Sequence, residues 1–336
     1  MALRLVFCGT PEFALPSLRR LIADANFQIE AAVTQPDRPR GRGQHVAASP
    51  VKEFALESGL YLYQPEKIRS ESAEAFFKRV APDVVVIIAY GQIIPQNLLS
   101  IPRLGWINLH ASLLPKYRGA APINWAIVNG EKVSGVTTMQ VDAGMDTGPI
   151  LLQKQMEIGA DENAPELSRR MAEAGAPLVA DTLVGLANGT ITPRAQDASQ
   201  ATRAPLLKKE HGQIDWNLAA REIFNRIRGF EPWPGAYTWF RGQHCQVWGN
   251  VWGRMAGKML HNLIDDGHGL GPLRPSTIPG TISSNGDEVV VACGGETFLT
   301  LEAVKLEGRG KISARDFANG ARLEPGEGFD TGPKTG

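Results

Sequence analysis

The sequence predicts a layered α/β domain built on a parallel sheet, followed by a smaller, mostly β domain. Three observations carry that prediction. LRLVFCG (3–9) and DVVVIIAYG (83–91) are apolar on both faces, as central parallel strands covered by helices are. These runs alternate with segments of helical periodicity, the pattern of a βα-wound domain. Beyond residue 207 the composition shifts to tryptophan, glycine and short β-like runs. A chain of 336 residues suits two domains. The expected boundaries are 1–189 for the first, 190–206 for a linker, 207–330 for the second and 331–336 for a flexible tail.

LRLVFCG is the first strand, with a turn at Gly9 and a helix whose first turn tolerates Pro11, since the missing N–H would have no partner there. QIEAAVT (28–34) is the second strand. QPDRPRGRGQHVAASP (35–50) is too rich in proline, glycine and arginine to continue it and is expected as an exposed loop. VKEFALESG from 51 and KIRSESAEAFFKRVA from 67 read as helices, and DVVVIIAYG as a central strand. GWINLHASLLP from 105 sets a short strand beside polar loop residues. SGVTTMQV (134–141) and PILLQKQMEI (149–158) flank a glycine-rich turn as two further strands. ENAPELSRRMAEAGAPLVADTLVGLANG follows as a long helix with Pro165 near its entrance and Gly189 near its exit. TPRAQDASQATRAPLLKKE from 192 has the composition of a crossing linker.

In the second domain NLAAREIFNRIRGF has helical spacing, and YTWF, HCQVW, GTISSN, EVVVACG and FLTLEAVKL are candidate strands of a small sheet or barrel. A long loop is expected around 256–279, and EPGEGFDTGPKTG is expected to fray.

Composition narrows the function classes. Hydrophobic residues at 43% and charged residues at 21% place the chain among globular proteins. With 35 basic and 35 acidic residues, no global field draws it to nucleic acid or to an acidic membrane, so any such contact is local. Cys8, Cys245 and Cys293 lack CxxC spacing, which favours buried free thiols and a reducing, cytoplasmic compartment. The start MALRLVFCGTPEF has no basic region followed by a sustained apolar run, and VVVIIAY is far short of the roughly 20 residues that span a bilayer. Neither export nor membrane insertion is expected. The six histidines form no ligand cluster, so no metal is expected either.

The chemically suggestive stretch is Asn108-Leu109-His110-Ala111-Ser112. On an extended strand Asn108 and His110 project from one face, which puts a hydrogen-bond donor beside a group able to move a proton. A satisfied structural pair has the same signature. VDAGMDTG offers Asp142 and Asp146, of which Asp146 is the better partner for the histidine, although an aspartate in such a turn also bonds its own backbone. Ser112 lacks the GxSxG elbow of a serine hydrolase, and FCGTPEF lacks both GxGxxG and GxxxxGK[ST]. Arg38, Arg40 and Arg42 form a compact basic run, Lys208 and Lys209 a second, and Arg221, Arg226 and Arg228 continue it. Such residues contact a nucleic-acid backbone or simply line a solvated surface. Trp233, Trp239, Trp248 and Trp252 are expected to be buried rather than to stack on bases.

FCGTPEFALPSL, TQPDRPRGRG, VVIIAYGQIIP, NLHASLLPKYRGAAPINWAI, GVTTMQVDAGMDTGPIL and IDWNLAAREIFNRIRGFEPWPGAYT together resemble the folate-dependent formyltransferase family over roughly residues 3–250. The resemblance implies a Rossmann-like formyltransferase domain with a parallel sheet, then a small OB-like β-barrel that contacts tRNA. It implies transfer of the formyl group of 10-formyltetrahydrofolate to the α-amino group of methionyl initiator tRNA; a monomer without metal or membrane association is expected beside it. The family trio falls on Asn108, His110 and Asp146. Folate is placed near Ser112, Leu113, Leu114 and Pro115, with Ala89, Tyr90 and Gly91 walling the pterin pocket. Arg42 is the foremost tRNA contact, followed by Arg38, Arg40 and Lys208. The 256–279 segment departs from the family pattern. The alternatives are a formyltransferase acting on a small amine and a non-catalytic RNA-binding protein.

Overall fold

The computed structural model describes residues 2–40, 45–251, 276–284 and 288–330. Arg42, Trp252 and nearly all of the 256–279 segment lie outside these residues. Contacts divide the chain into two compact units. The first comprises Met1–Ile123, Lys132–Gly159 and Glu166–Leu206; the second comprises Asn124–Glu131, Ala160–Pro165 and Leu207–Gly336.

In chain order the first part supplies β1 (Leu3–Gly9), α1 (Leu15–Ile22), β2 (Phe27–Val33), β3 (Arg38–Arg40), β4 (His45–Ala47), α2 (Pro50–Glu57), β5 (Leu62–Tyr63), α3 (Glu71–Val80) and β6 (Val84–Ile88). Then come α4 (Gln96–Leu99), β7 (Trp106–His110), β8 (Arg118–Gly119), α5 (Pro122–Val128), β9 (Val133–Gln140), β10 (Ile150–Glu157), α6 (Ala164–Ala187) and β11 (Arg203–Ala204). The helix starts follow local chemistry. Ser49 Oγ accepts from Lys52 N (3.2 Å) at α2, and Ser70 Oγ accepts from Ala73 N (3.2 Å) at α3.

Seven strands form one sheet in the order β10-β9-β7-β6-β1-β2-β5. β5, β2, β1, β6 and β7 are mutually parallel, whereas β9 runs antiparallel to both β7 and β10. The expected parallel sheet therefore carries a hairpin at one edge, because the short glycine-rich turn between β9 and β10 leaves no room for a crossover helix. Strand order reverses at β1, whose neighbours are β2 and β6, and in an open α/β sheet the crevice at that reversal is where ligands bind. Trp106 of β7 packs with Phe77 of α3, their ring centroids 5.1 Å apart, on one face. Leu109 points to the other face and sits over Gly175 of α6, where a Cβ would come within 2.5 Å of Leu109 Cδ2. Asn108 and His110 share the Trp106 face and end at the carboxyl edge.

Two stretches expected to be irregular are ordered. Residues 38–40 and 45–47 pair antiparallel as a small two-stranded ribbon, in the register Arg38↔Ala47, instead of forming a featureless loop. Proline there is tolerated because a two-stranded ribbon is all edge. The expected linker pairs through β11 with β8 of the first unit.

The second unit contains α7 (Ala220–Gly229), β12 (Tyr237–Phe240), β13 (Gln243–Val251), β14 (Ile282–Ser284), β15 (Val289–Cys293), β16 (Thr297–Leu306), β17 (Ile312–Ser313) and α8 (Ala314–Ala321). The antiparallel order is β12-β13-β16-β15-β14, with β17 on β16. Residues 327–330 join its two edges. Asp330 exchanges backbone hydrogen bonds with Trp239 (2.9 and 3.3 Å), while Phe329 N donates to Gly280 O (2.9 Å) and Ile282 N to Glu327 O (2.9 Å). Phe329 is buried and stacks on Trp216 at 5.3 Å. The tail expected to fray thus holds the sheet edges together up to Asp330, anchored by one aromatic side chain.

Two further expectations fail in this unit. Arg228 is buried, donating to Asn225 Oδ1 (3.0 and 2.9 Å) and Glu162 O (2.8 Å), so it braces the interior and offers no charge to a ligand. Trp233 is 53% exposed instead of buried. Cys8, Cys245 and Cys293 are free and buried, and burial pushes the Cys245 and Cys293 thiols up to about 12.

Candidate active site

β7 ends with half-buried Asn108 and with His110, which is 6% exposed. The chain then turns through 111–117. This turn is knotted from within: Thr137 Oγ1 of β9 donates to Ser112 O (2.6 Å) and accepts from Leu114 N (3.2 Å), Gln153 Nε2 donates to Leu114 O (2.9 Å), and Ser112 Oγ donates to Lys116 O (2.6 Å). Ser112 is fully buried, and its hydroxyl is committed to the turn. Leu114 packs with Met139 and Ile150 in a small core. Of the four residues 112–115, Leu113 and Pro115 are the partly exposed ones.

The turn carries Tyr117 to the histidine. His110 Nε2 lies 2.9 Å from Tyr117 O. A carbonyl oxygen only accepts, so Nε2 carries the proton and Nδ1 is the ring nitrogen left for chemistry. Asp146 Oδ1 stands 3.6 Å from Nδ1, wider than a hydrogen bond, while its Oδ2 accepts from Gly119 N (2.8 Å). Gly119 is required there: its φ is +126°, and a Cβ would come within 2.5 Å of Ala204 O. Asp142 is occupied elsewhere. It accepts from Thr147 Oγ1 (2.8 Å) and Gly144 N (3.0 Å), stabilising the turn that presents Asp146.

On the neighbouring strand Ile87 pairs with Asn108, so the segment after β6 runs beside the histidine. Ala89 and Gly91 are exposed with φ of 48° and 89°. Tyr90 between them is buried in the core with Cys8 and Ile94, and burial pushes its phenol up. Its backbone oxygen accepts from Gln35 Nε2 (3.0 Å). With its ring buried, Tyr90 leaves the exposed surface at this point to Ala89 and Gly91. Arg38 and Lys208 are exposed, each on its own unit. Among the described residues no group of three or more His, Cys, Asp or Glu is placed to hold a metal, and no helix is long and apolar enough to cross a membrane.

The residues that sequence reasoning missed are Tyr117, Gly119, Thr137 and Gln196. Gln196 Nε2 donates to Asp146 O (2.9 Å) and Gly148 O (2.7 Å), and its Oε1 accepts from Arg118 Nε (3.0 Å) and Nη2 (2.7 Å). No spacing signals a glutamine in a polar segment 50 positions from its partner.

A Rossmann-like sheet with an amide, an imidazole and a carboxylate gathered at its carboxyl edge is that of an α/β group-transfer enzyme. Comparison with known proteins makes this specific. The formyl transferase family matches residues 3–183, and its formyl transferase C-terminal domain matches 206–322. The chain belongs to the formyl transferase family. It is 49% identical to the methionyl-tRNA formyltransferase of Solibacter usitatus, over 98% of this chain and 99% of that protein. It is 46% identical to the enzyme of that name from Geobacter metallireducens, over 96% and 97%. Its fold is shared with the N-formyltransferase of Helicobacter canadensis, solved with folinic acid and dTDP-3-aminofucose, at a TM-score of 0.61 and 16% identity, covering 90% of this chain and 99% of that one. WlaRD, a sugar 3N-formyl transferase solved with dTDP and 5-N-formyl-THF, matches at 0.61 and 16% over 92% and 99%.

Proposed function

We propose that this chain transfers the formyl group of 10-formyltetrahydrofolate to the α-amino nitrogen of methionyl initiator tRNA. The observation that carries the proposal is 49% identity along nearly the full length of a methionyl-tRNA formyltransferase, through both units. The small-amine formyltransferases share the fold at 16% identity.

The site fits a flat heterocycle at this edge, since exposed Ala89 and Gly91 present no bulky side chain beside Asn108 and His110. Leu113 and Pro115 supply partly exposed apolar surface, whereas Ser112 and Leu114 act by holding the turn. The neutral amine attacks the formyl carbon, and the carbonyl electron pair moves onto oxygen. Asn108 stabilises that charge through its amide N–H, and His110 presents its unprotonated Nδ1 to the attacking amine. Asp146 Oδ1, with the unprotonated His110 Nδ1 beside it, receives the proton released from the amine nitrogen, and that proton is returned to the departing folate nitrogen as the C–N bond breaks. Fixing Oδ2 on Gly119 N leaves Oδ1 aimed at the imidazole.

Arg42, Arg38, Arg40 and Lys208 are the proposed tRNA contacts. Removing the charge at Arg42 raises the tRNA requirement and flattens the salt dependence by about one phosphate contact. The test of function supplies 10-formyltetrahydrofolate with methionyl initiator tRNA, methionyl elongator tRNA or a small amine. Formylation of the initiator species supports the proposal, and formylation of the small amine alone overturns it.

A further inference from the structure

Residues 194–204 fall between the two family matches, yet their polar atoms are turned on the site. Arg194 exchanges both backbone hydrogen bonds with Ile150, at 2.8 Å each, just past the Asp146 turn. Gln196 uses both amide hydrogens on Asp146 O and Gly148 O and its oxygen on the Arg118 guanidinium. Thr202 Oγ1 accepts from Tyr117 N (2.8 Å), and Thr202 O from Arg118 N (2.9 Å). The strap therefore grips the two backbone positions that set the His110–Asp146 pair: Tyr117, whose carbonyl orients the imidazole, and Asp146 itself. Tyr117 (φ 60°) and Asp146 (φ 54°) both hold left-handed conformations, which residues with a side chain keep only when their surroundings impose them.

We infer that Gln196 and Thr202 are positioning residues for formyl transfer, the strap 194–204 acting through Asp146 and Tyr117 to fix the geometry of His110. The inference rests on the reading of His110 and Asp146 as the transfer machinery. Gln196 and Thr202 touch no reacting atom in this scheme; they set the distance and tilt between groups that do. Misplacement of such groups costs rate rather than binding.

The experiment measures single-turnover transfer to methionyl initiator tRNA at saturating 10-formyltetrahydrofolate for Gln196→Ala, Thr202→Val, Thr202→Ser, Asp146→Asn and the double variant Gln196→Ala/Asp146→Asn. Thermal unfolding and the ring 15N shifts of His110 are recorded alongside. Gln196→Ala and Thr202→Val are expected to slow transfer by on the order of ten- to a hundredfold, with the KM values for both substrates, measured separately in the steady state, nearly unchanged. Thr202→Ser, which keeps the hydroxyl, restores both the rate and the His110 shifts that Thr202→Val displaces. On the Asp146→Asn background Gln196→Ala adds less than about twofold, because the two act in one pathway. Full rate in Gln196→Ala and Thr202→Val, fully multiplicative losses, or unmoved His110 shifts overturn the inference while leaving the catalytic reading intact. Full rate in Asp146→Asn instead overturns that reading and the inference with it.

Discussion

The turn 112–116 and the strap 194–204 serve the same pair of side chains by opposite physics. The turn is interior. Ser112 and Leu114 are buried, and both polar backbone groups that face Thr137 are satisfied by its single hydroxyl. The strap is mostly exposed from Asp197 to Arg203 and keeps its place through hydrogen bonds from its side chains and backbone to other segments. Burial makes a segment a determinant of stability. Exposed hydrogen bonds contribute little to stability yet still fix geometry, so one site rests on two kinds of support that different measurements detect.

Substitutions that separate the two supports put the contrast at risk. Leu114→Ala empties part of the packing with Met139 and Ile150 and is expected to lower stability by about 2–5 kcal/mol in denaturant unfolding. Thr137→Val keeps the shape but strips Leu114 N and Ser112 O of a partner in the interior, at about 1–3 kcal/mol by the same measurement. Thr202→Val, on the exposed strap, is expected to change stability by no more than about 0.5 kcal/mol while slowing transfer. If Thr202→Val destabilised the protein as much as Thr137→Val does, the distinction between turn and strap would collapse. In the second unit Phe329→Ala removes the ring that anchors the closing segment and is expected to cost about 3–5 kcal/mol with the transfer step itself unaltered.

Where a feature is written in periodicity, the sequence was legible. The apolar runs at 3–9 and 83–91 are β1 and β6, the spacing after 217 is α7, and two-residue alternation placed Asn108 and His110 on one face. The rest depends on pairings between distant positions. Residues 38–40 and 45–47 form a ribbon because Arg38 meets Ala47, and 327–330 are ordered because Asp330 meets Trp239. Gln196 looks like any polar residue in a loop until its three partners are in space. Arg228 reads as a surface cation and is interior, since the carbonyl of Glu162 that satisfies it lies 66 positions away. Tyr90 is expected in the pocket wall from the sequence, but its ring is buried among Cys8 and Ile94, while Ala89 and Gly91 are exposed.

In the proposed mechanism the carboxylate of Asp146, facing Nδ1 of His110, drives the transfer step. Single-turnover formyl transfer by Asp146→Asn tests it most directly, because the amide keeps the shape and the Gly119 hydrogen bond while losing the proton acceptor. The expected rate is lower by on the order of a hundred- to ten-thousandfold, with folate and tRNA binding retained. A rate equal to that of the unaltered protein would contradict it.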